Sequence, residues 1–160
     1  MKNLNYNSEY LDNYYMLMAE GQSSFSTCRR QVGAVIAIGD RVLATGYNGA
    51  PNGLPSCNEL GGCMRQNNNI PSGTRQEFCR AVHAEQNAII SAATKGISIK
   101  GGTLYVTTYP CSICTRMIIN CDLRRIVYKG DYQDELAHEM LQQTEIEVVK
   151  FEPVKKKILI

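Results

Sequence analysis

Between Glu9 and Glu20 the apolar side chains Tyr10, Leu11, Tyr14, Tyr15, Leu17, Met18 and Ala19 return at steps of three and four residues. That spacing gathers them on one stripe of a helix, with Ser8 expected as N-cap and Gly21 as stop. The rhythm then changes. Val32 to Ile38 is a short run rich in β-branched residues, Gly39-Asp40 offers a turn, and Arg41 to Tyr47 returns. The pair is predicted to form a β-hairpin.

From Asn48 to Arg75 there is no period, and Gly, Pro, Asn and Ser dominate. Structureless segments of this length are uncommon in compact domains unless they are functional or held together by something. Regular patterning resumes with a helix over residues 84–93, its packing face Ala88, Ile89, Ala92 and Ala93, and its stop Gly96. Leu104–Thr108 is predicted as a strand. Pro110 then opens a helix through Asn120, suiting a first turn where no N–H is needed. Arg125–Tyr128 is a strand, Glu135–Gln143 a helix and Ile146–Lys150 a final strand. After the first helix the order is β-β-α-β-α-β-α-β, which predicts an α/β fold with a mixed sheet covered by helices on both faces.

The 160 residues suffice for one domain and not comfortably for two. A 44% hydrophobic content is that of a globular chain. The net charge of +2 argues against a general nucleic-acid binder, which would carry a basic stripe. No apolar run approaches membrane-spanning length, and Met1–Tyr6 lacks the apolar core of a signal peptide, so a cytoplasmic location is expected. Lys155-Lys156-Lys157 is taken as a solvated surface run. The seven cysteines, read in a reducing compartment, are metal ligands or buried thiols.

Two short stretches carry chemistry: His83-Ala84-Glu85 and Pro110-Cys111-Ser112-Ile113-Cys114. One imidazole and two thiolates make three zinc ligands, the number that leaves a position open for catalysis. Two helical residues that are two apart lie about 200° apart around the axis, so His83 and Glu85 can approach one ion only at the start of a helix. Cys111 and Cys114 are three apart and share a face. Two helix N-termini would then aim at one point and favour the anionic thiolates. A dithiolate zinc carries little net charge and acidifies water weakly, so a neighbouring base is useful, and Glu85 is the candidate to shuttle protons. The alternative is a structural zinc closed by a further cysteine.

With these motifs the sequence resembles deoxycytidylate (dCMP) deaminases of the bacterial and phage type, within the cytidine deaminase superfamily. The resemblance covers almost the whole chain. It runs through Cys28-Arg29-Arg30-Gln31-Val32-Gly33-Ala34-Val35, Gly46-Tyr47-Asn48-Gly49-Ala50-Pro51, His83-Ala84-Glu85-Gln86-Asn87-Ala88-Ile89 and Tyr109-Pro110-Cys111-Ser112-Ile113-Cys114. It implies a three-layer αβα sandwich on a five-stranded sheet. His83, Cys111 and Cys114 would hold the catalytic zinc and Glu85 would move protons. Asn48, the Ala84 backbone N–H, Tyr109 and Tyr132 would meet the nucleotide. Implied activity is hydrolytic deamination of dCMP to dUMP for thymidylate synthesis. Implied partners are small nucleotides: dCTP with Mg²⁺ as activator, dTTP as inhibitor, and further copies of the chain in a hexamer, with no nucleic acid and no membrane.

Read without the resemblance, Asn48 is a turn asparagine, while Tyr132 is equally a packing residue. Cys28, Cys57, Cys63 and Cys79 are candidates for a second, structural zinc that would staple the insert at about residues 48–82; the alternative is four separate buried thiols. Cys121 is expected in the core. Arg29, Arg30, Arg65, Arg75, Arg80 and Arg116 are candidates for a substrate phosphate. Competing readings are another deaminase of the superfamily, acting on a nucleoside, a base or a tRNA adenosine, and a deaminase-scaffold accessory of DNA uptake.

Overall fold

The computed structural model describes residues 8–153, so the Met1–Tyr6 stretch and the Lys155–Lys157 run lie outside the described residues. The elements are α1 (Ser8–Ser23), β1 (Gly33–Ile38), β2 (Arg41–Tyr47), α2 (Met64–Asn67), a 3₁₀ turn (Gln76–Phe78), α3 (Ala84–Thr94), β3 (Thr103–Thr108), α4 (Ser112–Asn120), β4 (Arg125–Gly130), α5 (Glu135–Gln142) and β5 (Glu147–Lys150). The five strands form one mixed sheet in the order β2-β1-β3-β4-β5. β1 pairs antiparallel with β2 and β3, while β3, β4 and β5 run parallel.

Alternation along β1 explains why its run is apolar throughout. Val35 and Ala37 face α1, where they pack with Tyr15, Met16, Ala19, Tyr105 and Val127. Ala34 and Ile36 face the other way, into a larger core with Leu104, Val106, Ile126 and the inner sides of α3, α4 and α5. Both faces of the strand are covered, so neither set of positions can be polar. The expected three layers are therefore present, with α1 alone on one side. Asp12 pins α1 to the sheet: it accepts two hydrogen bonds from the Arg125 guanidinium, at 2.6 and 2.9 Å, and one from the Tyr105 hydroxyl at 3.0 Å.

Several sequence expectations need correction. Gly21 does not stop α1, because a glycine stop needs a left-handed backbone and Gly21 has no positive φ. The helix runs two residues further and unwinds through the Ser24, Phe25 and Ser26 N–H groups onto the carbonyls three residues before them. Ser8 is already helical. Gly96, with φ 65°, does end α3 as expected. Ala93 is exposed, and the buried face of α3 is Ala84, Glu85, Ala88, Ile89 and Ala92. Pro110 lies outside α4, two residues before its first member, in extended chain where a missing N–H is equally harmless.

The segment after Asn48 is not structureless. It contains α2, and the 3₁₀ turn follows directly after Arg75, each too short to leave a periodic pattern. Its framework is hydrogen bonding rather than an apolar core. Gly62 N–H bonds Cys57 O at 2.7 Å, and the Arg65 guanidinium bonds Pro71 O and Thr74 O, both at 2.6 Å. Cys121 caps the C-terminus of α4 and is half-buried at the edge of the core. Among the described residues no helix is long and apolar enough to cross a membrane.

Candidate metal centre

The two ends of the irregular segment are joined by a two-hydrogen-bond bridge. Gly49 N–H bonds Val82 O at 3.1 Å and Val82 N–H bonds Gly49 O at 2.9 Å. The bridge sets His83 beside Asn48 and launches α3. His83 is the N-cap of α3, with φ −70° and ψ 159°; Cys111 is the N-cap of α4, with φ −75° and ψ 167°. Both ligand arms thus begin one residue before a helix, in nearly the same extended conformation. Glu85 is the second residue of α3 and Cys114 the third of α4. The expectation that both motifs sit at helix starts is met, with the cap position rather than the first turn holding the leading ligand.

The donor atoms of His83, Cys111 and Cys114 lie within 4.8 Å of one another. Nδ1 of His83 is 3.4 Å from Cys111 Sγ and 3.3 Å from Cys114 Sγ. Among the described residues no fourth His, Cys, Asp or Glu joins this group. Both sulfurs are buried. The three groups shift one another's proton affinity. The neighbouring Cys114, against burial and with help from His83, holds the Cys111 thiol down to about 4. The Cys111 and Cys79 side chains, again against burial, hold the His83 imidazole up to about 10. Two thiols and one imidazole this close fit zinc by donor chemistry and number, and a cation would displace those protons.

Glu85 is 3% exposed. Burial raises its carboxyl pKa above the ordinary range, opposed by a bond to its own backbone N–H and by His83. It stands next to the ligands without joining them. Ala84, fully buried, is the first residue of α3, so its N–H has no acceptor within the helix.

A cavity of about 470 Å³ opens over the group and is walled by His83, Ala84, Glu85, Asn48, Tyr109 and Tyr132 among others. All the predicted substrate-side residues therefore reach one space. Asn48 is partly committed: its Oδ1 accepts Val32 N–H and its Nδ2 donates to Arg30 O, both at 2.8 Å. Each group keeps a second valence. Tyr109 is buried, stacked on His138 at 4.2 Å and edge-on to Tyr128 at 4.8 Å. Tyr132 takes a hydrogen bond from Gln76 at 3.1 Å and carries the Arg30 guanidinium over its ring.

Of the six candidate arginines, Arg29, Arg30 and Arg65 line the cavity. Arg65 is engaged by Pro71 O, Thr74 O and Gln76 Oε1, and Arg30 by Thr108 Oγ1 and Asp131 O. Thr108 and Gln76 are cavity residues that the sequence did not single out, since neither stands in a motif. Cys28, Cys57, Cys63 and Cys79 also line this cavity, all half-buried. Burial first, and then the nearness of the other three, raises the Cys28 thiol. They do not close to the mutual spacing of the first group.

Residues 9–129 match the cytidine and deoxycytidylate deaminase zinc-binding region. A deoxycytidylate deaminase of Schizosaccharomyces pombe is 36% identical over 149 residues, 92% of this chain and 46% of the yeast protein. The chain thus spans less than half the length of that relative. A deoxycytidylate deaminase of Mycobacterium phage D29 is 38% identical over 122 residues, 73% of this chain and 92% of the phage protein. The crystal structure of dCMP deaminase from cyanophage S-TIM5, in complex with dCMP and dUMP, superposes with a TM-score of 0.72 at 30% identity over 94% of this chain and 99% of that one.

Proposed function

This chain belongs to the cytidine and deoxycytidylate deaminase zinc-binding family, and from that premise we propose that it hydrolyses dCMP to dUMP and ammonia. The observation that carries the proposal is the three-membered donor group, with no fourth ligand among the described residues and a buried carboxyl beside it. A structural zinc site would be closed by four.

His83, Cys111 and Cys114 would hold the zinc, which when bound supplies a Lewis acid that makes water a stronger acid and a better nucleophile. Glu85 accepts a proton from the attacking water at its carboxylate oxygen. It delivers that proton to the ring nitrogen next to the amino-bearing carbon, then takes the remaining proton of the added hydroxyl and passes it to the amine, which leaves as ammonia while the C–N bond breaks and the C=O forms. Its burial, which raises its pKa, suits a group that must both take and give a proton near neutrality. The Ala84 N–H and the spare valences of Asn48 would read the base and sugar and Tyr109 and Tyr132 would wall them, a reading supported by their shared cavity. Arg29 and Arg30, at the cavity wall, supply cationic donors for the phosphate.

The test is ammonia release from dCMP, deoxycytidine, CMP and adenosine measured side by side. Turnover of dCMP alone or far ahead of the rest is expected; adenosine or deoxycytidine in front would replace the substrate assignment. Three finer points are supported by the resemblance. One is a second zinc on some or all of Cys28, Cys57, Cys63 and Cys79, for which metal analysis should find two zinc ions per chain. Another is a cytoplasmic homo-oligomer, a hexamer, supplying dUMP to thymidylate synthesis. The third is activation by dCTP with Mg²⁺ and inhibition by dTTP, seen as sigmoidal dCMP kinetics that dCTP makes hyperbolic.

A further inference from the structure

The Cys111 arm is held by a residue far from it in sequence. Asp134 precedes α5 and uses its two carboxylate oxygens in two different helices. Oδ1 accepts Ala137 N–H at 3.0 Å, which caps α5. Oδ2 accepts Ser112 N–H at 2.8 Å, at the start of α4 and next to the ligand Cys111.

We propose that Asp134 is the positioning residue of the two-cysteine arm, fixing the peptide between Cys111 and Ser112 so that both sulfurs are presented to the metal. The proposal rests on the zinc reading above. The N–H side of that peptide is held by Asp134, and its carbonyl side by Thr115 N–H at 2.9 Å. A peptide is planar, so fixing both sides fixes the ψ of Cys111, and with it the direction of the chain carrying Sγ. The His83 arm is held from within its own helix. Gln86 Oε1 accepts His83 N–H at 2.8 Å and His83 O accepts Asn87 N–H at 2.9 Å. The residue at the corresponding place in α4 is Cys114, itself a ligand and so not free to cap, and α5 supplies the acceptor instead, one peptide further along.

Two further observations agree. α5 touches the arm a second time, through the His138 ring stacked on Tyr109, two residues before Cys111. The Asp134 carboxyl also sits below its ordinary pKa: burial alone would raise it, and the N–H groups of Ser112 and Ala137 outweigh that burial. Partners of this kind, one shell out from a metal, orient its ligands and typically change metal affinity by about 10- to 100-fold when removed.

The experiment compares zinc-loaded wild type with Asp134→Ala, Asp134→Ser and Glu139→Gly. Zinc release to a coloured chelator and the thermal midpoint are read together. Serine caps α5 as well as aspartate does but is too short to reach two helices. Glu139, exposed on α5, touches no ligand arm, so its change to glycine weakens the helix alone. Asp134→Ala and Asp134→Ser should both bind zinc at least tenfold more weakly, with the midpoint of Asp134→Ser falling less than that of Asp134→Ala and Glu139→Gly within twofold of wild-type zinc affinity. Wild-type affinity in both Asp134 variants, or equal loosening by Glu139→Gly, would overturn the assignment. A wild type that takes up no zinc at all would instead remove the zinc reading, and this proposal with it.

Discussion

Gly46 on β2 lies flat against Ala84: a Cβ at position 46 would come 2.3 Å from Ala84 O and 2.5 Å from Ala88 N. The helix that carries Glu85 and is capped by His83 is therefore seated directly on strand backbone, and only glycine allows that approach. Gly33 on β1 does the same on the opposite face, where a Cβ would meet Ala19 O at 1.9 Å and Ser23 N at 2.5 Å.

Alanine at either position forces backbone apart, and each should lower stability by about 1–3 kcal/mol, the range for overpacking. Their effects on the site should differ. Gly46→Ala displaces the start of α3 and should weaken zinc binding, whereas Gly33→Ala displaces α1, which carries no site residue. Denaturant midpoints and zinc titrations on both variants check this.

Glu85→Gln should leave zinc content unchanged and reduce turnover by at least 10²–10⁴-fold, the usual contribution of a general acid–base group. The glutamine has the same shape but cannot take up and release a proton near neutrality. The same variant should be no less stable than wild type, because a buried carboxyl with a raised pKa opposes folding once it ionises. Retained turnover would end the proton-shuttle assignment.

Asn48→Asp should be worse than Asn48→Ala. The amide nitrogen donates to Arg30 O at 2.8 Å, and a carboxylate there would face that carbonyl oxygen with no proton between them. Alanine only leaves the Val32 N–H and Arg30 O without partners. Both variants should raise KM, with Asn48→Asp also losing stability; the pair is resolved by steady-state kinetics and thermal melts.

How much of the molecule was legible in its sequence depends on how local each cause is. The five strands were legible because each is a short stretch containing β-branched residues between turn signals, as in Val32–Ile38 and Arg125–Tyr128. The helix starts at His83 and Cys111 were legible because only there can His83 and Glu85 approach one point. Gly21 misled because a glycine stops a helix only when its backbone turns left-handed, and a residue name does not report φ. Asp134 was missed for a different reason. Its bond to Ser112 spans 22 residues, and nothing near either residue announces the other. Asn48 lies between these cases: its position at the end of β2 follows from the strand pattern, but its two backbone ties are invisible in the sequence.

Asp12→Ala should cost about 3 kcal/mol, because it leaves the largely buried Arg125 guanidinium without its two-fold partner and with only the exposed Glu147 carboxylate. The Tyr105 hydroxyl loses its acceptor at the same time. Replacing Asp12 and Arg125 together by apolar residues should recover much of the loss. The site lies on the other side of the sheet, so zinc affinity should hold in every variant. Urea unfolding of the two singles and the double measures it.

Asp134 also sets a pH dependence. Its folded pKa lies below the unfolded value of 3.8, so its contribution to stability is fully present above that value and is lost as pH falls through the folded one. Wild type and Asp134→Ala should therefore differ in stability at about pH 6, and the difference should narrow as the pH falls through the folded pKa. Acid titrations of the two proteins, monitored by circular dichroism, give the comparison.

Because His83 and Cys111 are caps and not helix members, the spacing of the donor triangle is decided where strands and bridge hand over to α3 and α4. Past their last core-packed residues, Ala92 in α3 and Ile118 in α4, both helices can vary in length. Lineages could trim or extend the distal ends, or enlarge the loops beyond Gly96 and Asn120, without retuning the centre, whereas a single residue gained or lost between Val82 and Glu85 would abolish it.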